Sequence, residues 1–133
     1  MPHADTDSLT DIADRLFGAI ARSDIGAVAQ LFSPDVAVWH SGDVRDNDHR
    51  RSVKIIDWFI TTTVDRRYEI RDRQVFDGGF VQQHVLHATA HTGASIAMRV
   101  CIVIKVGHDG LITRIDEYFD PAEMAPLLLS GSS

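Results

Sequence analysis

The sequence predicts an α+β fold, with helices from the front of the chain packed on one face of a sheet built by the back. Two observations lead there. Apolar residues recur at helical spacing through roughly the first sixty positions, and from Arg67 onward they alternate at the two-residue period of strands. The turn signals Asp77-Gly78-Gly79, Thr92-Gly93 and His108-Asp109-Gly110 then cut the second half into hairpin-length pieces. Helices followed by consecutive hairpins give an antiparallel sheet covered on one side.

The elements follow in order. Leu9, Ile12, Ala13, Leu16, Phe17, Ile20 and Ala21 form the buried stripe of a first helix, and Ser8 with Asp11 resembles a capping box. Ser23 and Asp24 break it and can cap a short second helix bearing Ala27, Val28, Leu31 and Phe32. Ser33-Pro34 ends that helix. Val36 to His40 reads as a strand, and the polar run Ser41 to Asp48, with Gly42, as a loop. A third helix is expected from about His49 to about Thr61, burying Val53, Ile56 and Ile60, with Ile55, Trp58 and Phe59 widening the stripe.

Strands are then expected over Arg67 to Phe76 and Phe80 to His91. In the next strand Ile96, Met98, Val100, Ile102 and Ile104 make a fully apolar face, opposite the mixed Arg99, Cys101, Val103 and Lys105. A last strand, around Ile112 to Asp120, stops at Pro121. Met124 to Leu129 can form a short terminal helix, and residues 130–133 read as frayed. Without repeats or linkers, residues 1–133 are expected to be one domain with an ordered core over about 8–129.

Composition narrows the function classes. The chain has 133 residues, 44% of them hydrophobic, enough for a sizeable core. Its formal charge is −6 and no dense Lys/Arg stripe appears, so neither nucleic acid nor an anionic membrane is an expected partner. No apolar run is long enough to span a bilayer, and no secretory signal is visible. Cys101 is the single cysteine. It sits in an apolar run and reads as an inert thiol, which fits a reducing, cytoplasmic compartment.

The last strand carries the sharpest functional signal. Ile115, Glu117 and Phe119 share one face, and Arg114, Asp116, Tyr118 and Asp120 share the other. A lone carboxylate on an apolar face is costly unless it is paired or protonated. His40 shares a face with Val36 and Val38 and should also point inward. Each could be a structural group bonded to a neighbour or one half of an acid–base pair. Histidine suits the second role because its unperturbed pKa lies near neutral pH. His84 lines the same interior if Phe80, Gln82 and Leu86 face inward; the other phase turns Gln83 and His87 in instead. Trp39, Trp58 and Phe59 read as packing, and Asp43, Arg45, Asp46 and Asp48 as a solvated loop. His40, His84 and Glu117 would suit non-haem iron, but they come from three distant strands and no spacing supports a metal, so none is expected.

The element order resembles the nuclear-transport-factor-2-like superfamily, which includes ketosteroid isomerases and SnoaL-like proteins. Its marks are Leu31-Phe32-Ser33-Pro34-Asp35 after two opening helices, the strand Val36-Ala37-Val38-Trp39-His40, and Asp109-Gly110-Leu111-Ile112 followed by Glu117-Tyr118-Phe119-Asp120. The resemblance implies a cystatin-like cone, in which helices and a strongly curved antiparallel sheet enclose a mostly apolar pocket, and a homodimer paired through the outer sheet face. It puts His40 where ketosteroid isomerases place their carboxylate base, and Leu16 and Ile102 where they place two oxyanion donors. With both donors missing, steroid isomerisation by that mechanism is not expected. Glu117 falls where epoxide-hydrolase-like members place an acid, but Gln82-Gln83-His84-Val85 lacks their Arg-x-Asp pair. Asp120 lies near the carboxylate that SnoaL-type cyclases use as a base.

Two functions therefore stand side by side. One is a cofactor-free enzyme doing acid–base chemistry on a small apolar substrate (isomerase, cyclase, dehydratase or hydrolase), with His40 and Glu117 catalytic. His84, Phe119, Ile115, Ile102, Val38, Leu16 and Asp120 would then line its pocket. The other is a non-catalytic ligand-binding or dimeric interaction domain of the same fold.

Overall fold

The computed structural model describes residues 6–130. Helices α1 (Thr6–Ala21), α2 (Ile25–Leu31) and α3 (His49–Thr62) cover one face of a five-stranded sheet. The strands are β1 (Phe32–His40), β2 (Thr63–Phe76), β3 (Gly79–Ala90), β4 (Ser95–Val106) and β5 (Ile112–Tyr118). A 3₁₀ turn, Pro121–Met124, leads into α4 (Ala125–Ser130). Of residues 130–133, read from the sequence as frayed, Ser130 ends α4 and 131–133 lie outside the described residues. No helix among the described residues is long and apolar enough to cross a membrane.

The sheet order is β1-β5-β4-β3-β2. Strands β2 to β5 form an antiparallel meander, as the turn spacing predicts. The first strand departs from expectation, because β1 pairs with β5 in parallel and the sheet is mixed. After β1 the chain crosses through α3 and enters β2 at the far edge, so the meander returns β5 alongside β1. Strand β1 also starts at Phe32, with Ser33 and Pro34 inside it. An edge strand tolerates a proline, and the β1–β5 register is irregular between Phe32 and Ala37. Strand β2 starts at Thr63, earlier than predicted, because Thr63 ends α3 in extended conformation and donates its hydroxyl to Phe59 O at 2.7 Å. The register of β2 against β3 shifts at Thr63/Asp65 and Ile70/Asp72, irregularities of the kind that bend a strand. Ser8 lies inside α1 and so is not its cap.

The core lies between α1, α2 and the inner sheet face, where Leu9, Leu16, Val28, Phe80, Ile104 and Ile112 are essentially inaccessible. Strand β3 takes the phase that turns Phe80, Gln82, His84 and Leu86 inward; His87 faces outward and meets Glu69 at 2.9 Å. Helix α3 is different. Its apolar stripe exceeds what the core takes up: only Ser52 and Ile60 are fully buried. The surplus width faces a cavity.

Candidate active site

The parallel pairing of β1 with β5 sets Val38 beside Ile115 and His40 beside Glu117. The His40 Nε2–Glu117 Oε1 distance is 3.6 Å, within ion-pair range and just beyond a hydrogen bond. The backbone around the pair is tied down. Ser41 N donates to Glu117 O at 3.0 Å, and Phe119 N donates to Ser41 Oγ at 3.0 Å.

A third group completes the arrangement. After His40 the chain reverses through Gly42, whose φ of +96° favours glycine, and Asp43 N donates back to His40 O at 2.8 Å. This turn brings Asp43 Oδ2 to within 2.9 Å of three donors: His40 N, His40 Nδ1 and Asn47 Nδ2. Burial resists ionisation of Asp43, but these hydrogen bonds and the histidine outweigh it and hold its carboxyl below the usual value. An ionised carboxylate only accepts, so Nδ1 carries a proton. In the neutral ring Nε2 is then the free lone pair, and it faces Glu117.

Glu117 is shifted the other way. Burial pushes its carboxyl up; the charge on His40 pulls it back, and Asp43 adds to the rise. Two carboxylates thus flank one imidazole, one held ionised and the other biased towards its protonated form. A stability effect follows. Between the ordinary value of 4.5 and the raised folded one, the native protein keeps a proton the unfolded chain has released. Stability therefore falls as pH rises through that window. Glu117→Gln removes the penalty, so the variant should melt above wild type at about pH 8, with the difference vanishing below about pH 4. Differential scanning calorimetry at both values checks this; a lower melting point at about pH 8 would mean the carboxylate stabilises the fold.

The three side chains open on a cavity of about 310 Å³. His40, Ser41, Asp43 and Glu117 supply its polar end. Ile55, Ile56, Trp58 and Phe59 of α3 form one wall, and Leu86 and Met98 of the sheet another. Phe119, Pro121, Met124 and Leu128 close it from the C-terminal segment. The lining is mostly apolar with a few convergent polar groups, as expected of a small-molecule site.

A family profile described as SnoaL-like domain matches residues 13–115. The chain belongs to the SnoaL-like domain family. No curated protein matches it significantly. Among solved structures, this SnoaL-like chain is similar to PrhC from Penicillium brasilianum at 15% identity and a TM-score of 0.81, covering 95% of this chain and 89% of that one. It is similar to an LEH-like epoxide hydrolase of M. tuberculosis at 20% identity and a TM-score of 0.75, covering 96% and 93%. An NTF2-like protein of unknown function from Burkholderia pseudomallei gives 20% identity and a TM-score of 0.75, covering 90% and 96%. At these identities the likeness establishes the fold.

Several side chains assigned to the pocket of this SnoaL-like domain from sequence lie elsewhere. Leu16, Val38, Ile102 and Ile115 are at most 4% exposed and belong to the packed core, not to the cavity lining. His84 is fully buried beside Phe17 and Tyr68 and does not line the cavity. Asp120 caps the 3₁₀ turn, accepting from Ala122 N at 3.0 Å. Val38, His84, Ile102 and Ile115 do point inward from the sheet and Leu16 points in from α1, but all five are buried away from the cavity lining. Of the seven predicted lining residues only Phe119 reaches the cavity, with His40 and Glu117. Sequence reasoning missed Asp43, taken for a solvated loop acid, and Trp58 and Phe59, taken for packing. The usable signals were the glycine before Asp43 and the excess width of the α3 stripe. No group of three or more His, Cys, Asp or Glu among the described residues is placed to hold a metal ion.

Proposed function

We propose that this SnoaL-like domain is a cofactor-independent enzyme that moves a proton at a carbon next to a carbonyl in a small, mostly apolar substrate. One observation carries the reading: Asp43 fixes the His40 tautomer so that Nε2 faces the cavity beside Glu117. His40 Nε2 takes the proton from carbon. Asp43 stabilises the imidazolium that forms, and holds the ring in place. Glu117, biased towards its protonated form, returns a proton to the product or stabilises the charged ring once ionised. The apolar walls exclude water and strengthen these interactions. Epoxide opening or loss of water would use the same pair.

The test needs no knowledge of the natural substrate. Small apolar ketones are incubated with the protein in D₂O, and loss of α-proton signal is followed by NMR. Wild type should accelerate exchange of at least one ketone, and His40→Asn should not. Exchange no faster than buffer throughout, or equal in the variant, leaves a ligand-binding protein instead.

The homodimer belongs to the same proposal. Tyr118 is 49% exposed on the outer face and packs against Trp39 with ring centroids 5.2 Å apart. Beside it Cys101 and Val103 lie half-buried, flanked by Arg99 and Lys105. An aromatic pair in a mixed, partly charged face suits an interface with a second copy. Sedimentation equilibrium should give twice the chain mass at micromolar concentration; a monomer rules the dimer out.

A further inference from the structure

The loop between β1 and α3 is fixed most firmly at its far end, and that end reaches back to the site. Asp46 accepts from Arg114 of β5, Nη1 to Oδ2 at 2.9 Å and Nη2 to Oδ1 at 3.2 Å. Asp48 caps α3, accepting from Arg51 N at 2.9 Å. Between them Asn47 forms a two-way backbone bridge with Val38. Asn47 N donates to Val38 O at 2.7 Å, and Val38 N donates to Asn47 O at 3.0 Å. Ser52 Oγ donates to Asn47 O at 3.3 Å. Asn47 is 5% exposed, so a buried side chain projects from backbone that is tied to β1 and to the start of α3.

The orientation of that side chain is forced. Its amide nitrogen lies 3.0 Å from Val38 O and 2.9 Å from Asp43 Oδ2. A carbonyl and an ionised carboxylate only accept, so the NH₂ faces both, with one proton for each. The other two donors on Asp43 Oδ2 belong to His40, its backbone N and its Nδ1. Among the described residues, Asn47 is therefore the one side chain that holds this oxygen independently of the histidine ring. Burial resists ionisation of Asp43, and the bonds from His40 and then from Asn47 work against it. The Asn47 donor is also neutral. A cation in its place would pair with Asp43 and take up the charge that balances the imidazolium.

We propose that Asn47 is a positioning residue, which acts through Asp43 to keep the His40 proton on Nδ1 and the Nε2 lone pair towards the cavity. Its value for catalysis rests on the acid–base reading; its effect on the ring does not. Without the Asn47 NH₂, the Asp43 carboxylate is held only by His40 and can turn about its Cβ–Cγ bond. Nδ1 then loses a fixed acceptor, and the two ring nitrogens compete for one proton. Each molecule with the proton on Nε2 has no base facing the cavity. Asn47 does not line the cavity, so ligand binding has no direct dependence on it.

The test reads the tautomer in ¹⁵N-histidine-labelled protein without ligand, at a pH where the ring is neutral, with His40 assigned from its loss in His40→Asn. Wild type should show a ring protonated on Nδ1 alone. Asn47→Ala keeps the backbone bridge to Val38 and should show both tautomers in exchange. Its ketone exchange should be about tenfold slower, with KM within about twofold of wild type. Ser52→Ala is the control. It loosens the same stretch without touching the Asn47 amide, so it should lower the melting temperature and leave the tautomer and the rate unchanged. Should N47A not fold, Asn47→Ser serves instead, because its shorter hydroxyl cannot span Val38 O and Asp43 Oδ2. A folded variant with the wild-type tautomer, or an equal tautomer change in S52A, overturns the proposal, and Asn47 is then structural. The two readings fail separately. If no ketone exchanges protons but N47A mixes the tautomers, the acid–base chemistry fails alone. If exchange runs and N47A keeps both tautomer and rate, the role of Asn47 fails alone.

Discussion

His40→Asn should lower the rate of proton exchange by about 10²–10⁴-fold, the usual worth of a positioned general base, while leaving the fold in place. The substitution separates the two ring nitrogens. An asparagine Nδ2 falls close to where the histidine has Nδ1, so it can still donate to Asp43 Oδ2 and keep the turn through Gly42 and Asn47. Nothing in asparagine replaces the Nε2 lone pair facing Glu117. Binding of apolar probes should therefore survive, because the walls come from α3, the sheet and the C-terminal segment. Asp43→Asn is the complementary variant. It leaves Nε2 in place but loses the charge that balances the imidazolium, so its rate loss should come without loss of binding. A parallel fall in rate and melting temperature in His40→Asn would point instead to a structural histidine, with Asp43 left short of a donor.

Much of this arrangement could be read from local pattern, and the unread part has a common cause. Alternation in Ile112 to Phe119 set Glu117 on an apolar face, and the Val36–Val38–His40 spacing turned His40 inward, because strand periodicity is a property of neighbouring residues. Which strand lies beside which is not. The parallel β1–β5 contact joins residues 77 positions apart (40 and 117), and no local signal distinguishes it from an antiparallel edge. The placement of Asp43 was hidden for a similar reason. A loop acid after a glycine looks solvated unless the turn geometry is known, and here a φ of +96° at Gly42 folds it back onto the strand. His84 shows the opposite limit. Its facing matched one of two open phases, yet facing inward on a covered sheet leads into the core as readily as into a cavity. Depth along the sheet decides which, and depth depends on how α1 packs.

The site also explains why helix α3 carries more apolar surface than the core needs. Ile55, Ile56, Trp58 and Phe59 line the cavity, and Trp58 remains 37% exposed. Leaving such side chains uncovered gives up burial free energy that a packed helix would gain. That loss, and the raised carboxyl of Glu117, are local departures from stability that coincide at one place. Such coincidence is expected of a functional site and not of a purely structural one. The position of α3 must then be held by something else.

Arg66→Met should destabilise the protein by about 3 kcal/mol, read as a lower urea midpoint with an unchanged m-value. Arg66 is 7% exposed, and its hydrogen bonds among the described residues run to carbonyl and hydroxyl oxygens, none of them to a carboxylate. Nε donates to Ile20 O at 2.9 Å, and Nη2 reaches Ala21 O at 3.4 Å and the Ser23 hydroxyl. Nη1 donates to Ile60 O at 3.1 Å, Thr63 O at 3.2 Å and Thr63 Oγ1 at 2.6 Å. These acceptors sit at the C-terminal ends of α1 and α3, where carbonyls lack helical partners and the helix dipoles are negative. One guanidinium therefore ties both helices to β2, with the two dipoles in place of a counter-ion. Methionine fills part of the volume but leaves buried carbonyls unsatisfied. Arg66→Lys should recover little, since an ammonium cannot span both helix ends with a planar fork. Because α3 carries one wall of the cavity, the same variant should weaken probe binding before global unfolding, seen as loss of affinity at urea concentrations where the far-ultraviolet signal is still native. A cost under about 1 kcal/mol would show that core packing holds α3 without the clamp.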